Sequence, residues 1–394
     1  MTIPPEIVDR IIDYVHDDPE TLIACSLVAR DWAPSTRLHL FAKMDILTAR
    51  EGTRLKELAS ILPKLLCYCQ ELTLGVTYGL DNTPATPGYI QLNGRVNGFT
   101  SLHTLHIRGF PSRPEDKDFV ELLLAISEKI TTLTLSESGN FESRRDLWKI
   151  IRLFPNLQNV HVSNLGYTSS GEGKLVPSRC YSPHIVSFSL STHCMGFVLE
   201  QLAEPPYPLT HLESLEIHHT DQQQKYLNSV ATKYQNAITT LKFGAQSTIG
   251  DDIPPHIGTY NCLQTLTLGK LELFAAYPSG HKPTTIVLSF AWVAATLEQI
   301  NSSLRHLVFE IAVTERRDLD AVSWEDVDAF LDSREQFQDL QSVHVVFLDT
   351  IPTTLTSEPE RLRQGINLSE ELMERMWRTV DRGLLRCTAR GLRT

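Results

Sequence analysis

A short pattern (apolar, two spacers, apolar, one spacer, apolar) recurs along the chain more often than one globular core would require. It reads Cys69-Gln70-Glu71-Leu72-Thr73-Leu74 and then Leu102-His103-Thr104-Leu105-His106-Ile107. Further copies centre on Leu133, Val160, Phe188, Leu215, Leu241, Leu266, Leu307 and Val343. From Leu72 onward, successive centres stand 33, 28, 27, 28, 27, 26, 25, 41 and 36 residues apart. A period of this length means stacked units, each too small to bury its apolar face without its neighbours. The last two intervals hold insertions. Phe41, Met44 and Ile46 repeat the spacing, with Met44 28 residues before Leu72, which extends the series by one copy.

Between copies the apolar period changes to that of a helix. Asp118 to Lys129 places Phe119, Leu122, Leu123 and Ile126 on one face, and Arg144 to Phe154 does the same with Leu147, Ile150, Ile151 and Phe154. Stretches 195–202, 223–234, 286–300, 324–337 and 368–385 read alike. Strand and helix therefore alternate, which predicts an α/β array with parallel strands on a concave side and helices outside.

In each strand the second and third apolar residues face the core, so the residues between them face outward. Three outward positions per strand run from Glu71, Thr73 and Gly75 to Ser342, His344 and Val346; Ser and Thr dominate them, five are His, and large apolar side chains are scarce. Ten strands at about 4.8 Å span roughly 43 Å, which suits a peptide or a protein edge better than a small metabolite. Thr132, Thr134, His161, Ser187, Ser189 and His218 are the candidate target contacts on this face. The alternative contacts are long Gly/Pro/Ser-rich loops at 75–101, 165–184, 244–262, 269–285 and 349–367. Ser369-Glu370-Glu371 starts a last helix with Leu372, Met376, Val380 and Leu384 on one face, followed by arginines, so residues 369–394 are expected to be a capping helix and basic tail.

The first 41 residues read differently. Pro4-Pro5-Glu6 and Asp18-Pro19-Glu20 each open a helix with a first-turn proline and acid, and a third helix from Pro34 carries Leu38, Leu40 and Phe41. Ile7, Ile11, Ile12 and Val15 are the expected apolar stripe of the first helix, and Leu22, Ile23, Leu27 and Val28 that of the second. Three such helices enclose little core, so part of this surface needs a partner.

The residues Ile3-Pro4-Pro5-Glu6-Ile7, Leu22 and Ser26-Leu27-Val28-Ala29-Arg30-Asp31-Trp32 resemble the F-box over about 40 residues. Ile3 stands where that family usually has leucine, and Ala29 where cysteine or serine is common. The repeats are similar to α/β leucine-rich repeats, although the asparagine usual after the strand has one clear counterpart, Asn164. Together they resemble F-box proteins with degenerate leucine-rich repeats, a group abundant in mushroom-forming fungi. The resemblance implies an N-terminal three-helix F-box over 1–41, then an irregular leucine-rich-repeat solenoid over 42–368. It also implies docking on a Skp adaptor and through it on a cullin, with Pro4, Pro5, Ile7, Ile11, Leu22, Val28 and Trp32 making or supporting the contact. The repeats would then hold a protein target for ubiquitination; a repeat scaffold with no such role is the alternative.

Composition narrows the remaining classes. A net charge of −11 disfavours nucleic acid and anionic membrane as partners. No apolar run is long enough for a membrane span, and no basic stretch followed by an apolar run marks a secretory signal, so a cytoplasmic and/or nuclear location is expected. The seven cysteines form no Cys-x-x-Cys pair and have no zinc spacing. Gly171-Glu172-Gly173-Lys174 lacks the upstream glycine of a phosphate loop, and Leu175 replaces its Ser or Thr. His184, His193 and Cys194 lie close in sequence without an orienting group. The expectation is an adaptor subunit with no catalytic site, cofactor or metal.

Overall fold

The computed structural model describes residues 3–62, 64–75, 96–109, 117–136, 144–163, 181–191, 198–200, 202, 209–219, 224–245, 257–273, 290–313, 319–320, 322–348 and 368–390. The chain divides into two compact units, Met1–Ile185 and Val186–Thr394.

The first unit opens with helices α1 (Pro5–Tyr14), α2 (Pro19–Val28) and α3 (Ala33–Leu40), with a 3-10 turn over Arg30–Trp32 before α3. Proline occupies the first turn of each helix, where its missing N–H is not needed. The Asp18 carboxylate accepts from the Glu20 and Thr21 N–H groups and caps α2. The helices are also tied side chain to side chain: Ser35 Oγ donates to Asp9 at 2.6 Å, and His39 Nε2 lies 2.9 Å from Asp13.

Strands and helices then alternate. Among the described residues this unit carries β1 (Lys43–Ile46), β2 (Glu71–Gly75), β3 (Thr104–Arg108), β4 (Thr132–Ser136) and β5 (Asn159–Ser163), each parallel to the one before. Met44, Leu72, Leu105, Leu133 and Val160 are register partners in that order, so the sequence pattern and the strand register coincide. The extra copy at Met44 is a strand. Helix α5 (Lys117–Ile126) buries Phe119, Leu122, Leu123 and Ile126, and α6 (Arg144–Ile151) buries Leu147, Trp148, Ile150 and Ile151. One helix escaped the sequence reading: α4 (Ala49–Ile61), whose start is a capping box between Thr48 and Glu51.

The second unit continues the pattern with β6 (Ser187–Ser191), β7 (Ser214–His219), β8 (Thr240–Ala245), β9 (Thr265–Leu273), β10 (His306–Val313), β11 (Ser342–Leu348) and β12 (Leu385–Arg390), parallel and in chain order. Phe188, Leu215, Leu241, Leu266, Leu307 and Val343 share one register row. Each unit is thus a solenoid-like α/β array.

A repeated backbone link joins successive strands. The carbonyl two residues before a strand centre accepts two consecutive N–H groups of the next repeat. Ala42 accepts from Gln70 and Glu71, Gln70 from His103 and Thr104, His103 from Thr131 and Thr132, and Thr131 from Gln158 and Asn159. In the second unit Val186, Glu213, Thr239, Gln264 and Arg305 do the same. The N···O distances in these links lie between 2.7 and 3.2 Å. Backbone thereby ties the entry turns together, and three asparagine side chains add to it from one repeat to the one before: Asn156 Nδ2 donates to the Glu128 carbonyl, Asn261 Nδ2 to Asn236 Oδ1 and Asn301 Nδ2 to the Gly258 carbonyl.

Two expectations need correction. The stretch 269–285 is not loop from its start, because β9 runs to Leu273 and pairs with β10 beyond an irregularity between Phe309 and Ile311. The C-terminal stretch is not helical through Leu385. Residues 368–375 and Trp377–Asp381 are helical, Gly383 then turns at φ 68°, and residues 385–390 form β12. Gly383 N–H donates to the Val380 carbonyl and Leu384 N–H to that of Thr379, a glycine-dependent helix ending that helical periodicity alone does not reveal. The fully buried Asp328, on the helix Trp324–Ser333, anchors this turn. Its carboxylate accepts from the Arg378 and Thr379 N–H groups at 2.9 Å each and from the Thr379 hydroxyl.

Two stability outcomes follow from this packing. Leu105, Leu133, Leu215 and Leu266 are fully buried, and each changed to Ala should cost about 2–5 kcal/mol in denaturant unfolding. Asp328→Ala should cost at least about 2 kcal/mol by orphaning buried donors, and Asp328→Asn less, since its amide oxygen still accepts.

Candidate functional site

The three N-terminal helices have an inside and an unusually apolar outside. Val8, Ile12 and Leu22 form the inner cluster, with Val15, Cys25, Trp32 and Leu40 packed against it. The first-helix stripe expected from the sequence is therefore rotated: Val8 and Ile12 face inward, while Ile7 and Ile11 are exposed. Leu22 of α2 points inward at 1% exposure, yet Ile23, Leu27 and Val28 on the same helix are 53%, 82% and 67% exposed. A helix apolar on both faces normally has cover on both. Tyr14 and Leu38 add to the uncovered surface.

A groove of about 360 Å³ crosses this region, lined by Ile3, Pro5, Val8, Val28 and Trp32, with Asp9 and Asp31 also at its walls. Of the residues expected to contact or support an adaptor, Pro4, Pro5, Ile7, Ile11 and Val28 lie at the surface. Trp32 is half-buried and lines the groove, and Leu22 is core, so it can only support the others. Tyr14, Leu27 and Leu38 were absent from the expected set. A second apolar stripe on each helix was the available signal.

In the first unit Thr132, Thr134 and His161 are all half-buried. His106, Thr134 and His161 are register partners on three adjacent strands, and Thr132 stands beside Asn159, whose Nδ2 donates to its hydroxyl at 3.3 Å. At the same end Glu71 pairs with Lys43 at 3.2 Å and lies 3.9 Å from His106 Nε2. Burial holds His106 below the usual histidine value, with Arg108 adding to that effect and the Glu71 carboxylate opposing it.

In the second unit Ser187 is half-buried, but Ser189 is buried at 9% exposure and donates to Glu216 at 2.7 Å. It lies on the outward face as expected, but its hydroxyl is covered by a side-chain network there and is not exposed, which corrects the expectation of a free hydroxyl. Lys242 completes that network, 3.1 Å from Glu216 and 3.0 Å from Glu310. Burial works against its charge, but hydrogen bonds and fields from Glu310 and Glu216 prevail and hold it above the ordinary lysine value. Gly269 makes the contact possible, since a Cβ there would sit 2.9 Å from Glu310 Oε2 and 3.1 Å from Lys242 Cε. Glu310 and Val346, both expected to face outward, are likewise buried. His218 lies on β7, and its side chain falls outside the described residues.

Two thiols are poor nucleophiles here. Burial pushes Cys69 up to about 12, with the Glu71 charge adding, and pushes Cys387 up to about 11. Among the described residues no three His, Cys, Asp or Glu side chains gather as metal ligands. Gly171 to Lys174, His193, Cys194 and most of each long loop lie outside the described residues. Among the described residues no helix is long and apolar enough to cross a membrane.

One titration checks the first-unit face. The His106 midpoint, followed by NMR, should fall below the ordinary histidine value of about 6.5. Glu71→Gln should lower it further, because it removes the carboxylate that favours the imidazolium. A scan against protein-family models and a search of curated proteins each return no match to this chain.

Proposed function

We propose that this protein is a non-catalytic substrate-recognition subunit of a Skp/cullin/F-box ubiquitin ligase. Its N-terminal helices would dock on the Skp adaptor and its repeats would hold a protein target. The observation that carries this reading is the apolar outer surface of residues 3–41, where Ile7, Ile11, Leu27 and Val28 are exposed beside the Pro5, Val28 and Trp32 groove. Apolar surface of this kind on small helices is expected to be covered by a partner, and the F-box resemblance of the same residues names the class of partner.

The outward strand faces support the second half of the reading. They offer hydroxyls, imidazoles and a few charges over several strands, which suits an extended protein surface. The mechanism is proximity: holding a target beside the ubiquitin-loaded enzyme raises the effective concentration of its lysines. No side chain of this protein then takes part in bond making.

Pro4→Ser combined with Ile7→Glu tests the docking half. Both positions are exposed, so the double variant should keep the wild-type melting temperature within a few degrees while losing at least about tenfold in affinity for a Skp adaptor. Undiminished adaptor binding, or a wild-type chain that does not bind the adaptor, would count against the ligase role and favour a repeat scaffold.

A further inference from the structure

Among the described residues, β12 of the second unit leaves one edge unpaired. β12 pairs with β11, and among the described residues no strand pairs with its other side. Val343 N–H donates to the Leu384 carbonyl at 2.9 Å. Backbone groups of successive strand residues point to alternate sides, so those of Leu385, Cys387 and Ala389 face away from β11. Such a row of free N–H and C=O groups is a template for an added strand.

Side chains say what kind of strand would fit. Leu385 and Cys387 stand in register with Val343 and Val345, which are fully buried, yet both remain half-buried. The core-facing side of the edge is thus apolar and partly uncovered. Arg386, between them and on the opposite side, is exposed; Arg382 before the strand is held by Asp332 at 3.8 Å and by the Phe337 carbonyl. Residues 382–393 hold four arginines and no acid in a chain whose net charge is −11. A second copy pairing antiparallel through the same edge would set these arginines against each other, and like charges on facing strands are unfavourable.

We infer that the free edge of β12 takes up an extended segment of a partner protein, in which apolar residues alternate with acidic ones, as an added strand. Its backbone would bond to Leu385, Cys387 and Ala389. Its apolar residues would cover Leu385 and Cys387, and its carboxylates would meet Arg386.

The test uses the full chain and a fluorescein-labelled eight-residue peptide of alternating valine and glutamate, with a valine and lysine peptide as control. Anisotropy should show salt-sensitive binding of the acidic peptide and at least tenfold weaker binding of the basic one. Cys387→Pro removes one outward donor that plays no part in pairing with β11, so it should weaken binding at least tenfold without lowering the melting temperature. Should that variant unfold, Arg386→Glu decides, and it should reverse the preference between the peptides. The inference is overturned if neither peptide binds the wild-type chain, if both bind equally, or if binding survives in folded Cys387→Pro or Arg386→Glu protein. A dimer in light scattering that is lost in a folded edge variant would also overturn it, by giving the edge to a second copy.

Discussion

One shared carbonyl per repeat holds the array in register. The oxygen two residues before each strand centre accepts two consecutive N–H groups from the next repeat, from Ala42 through Thr131 in the first unit and from Val186 through Arg305 in the second. In a β-strand a slip of one residue moves every side chain to the opposite face. Fixing the entry point therefore also fixes which residues reach the core: Leu72, Leu105 and Leu133 inward, and Thr73, His106 and Thr134 on the other side. This link needs no particular side chain, which explains how repeats of 25 to 41 residues can share one register with so little conserved spacing between them.

That same economy decides what could be read from the sequence. Strand centres were legible because burial constrains them directly, and the Met44 copy was found by spacing alone. Most helices were legible from their 3.6-residue apolar period. Helix α4 was not, because its buried face is small: Gly52 and Ala59 are buried in it, and neither stands out in an apolar pattern. Its capping box was the better signal. The step from helix to β12 depends on one glycine in the left-handed region and on a buried aspartate some 50 residues upstream, and neither lies in a local pattern.

Outward positions were harder still. Alternation gives the face of a side chain but not its neighbours, so it cannot show that Ser189 joins the Glu216, Lys242 and Glu310 network. The Lys242–Glu310 pair reaches from β8 to β10 across Gly269 of β9, a contact that only the assembled sheet creates. At the N-terminus, apolar content was legible and its orientation was not. With two apolar stripes on one helix, composition cannot say which stripe is core; packing of Val8, Ile12 and Leu22 settles it and leaves Ile7, Leu27 and Val28 outside.

The proposed function divides the labour between strand faces that are mostly polar and a short helical segment whose exposed apolar surface would be covered by an adaptor. Hydrogen exchange on the full chain, with and without a Skp adaptor, tests it most directly. The account predicts new protection confined to residues 3–41, strongest over α1 and α2, with exchange in the strands unchanged. Protection that appears in the strands instead, or none at a saturating adaptor concentration, would contradict it.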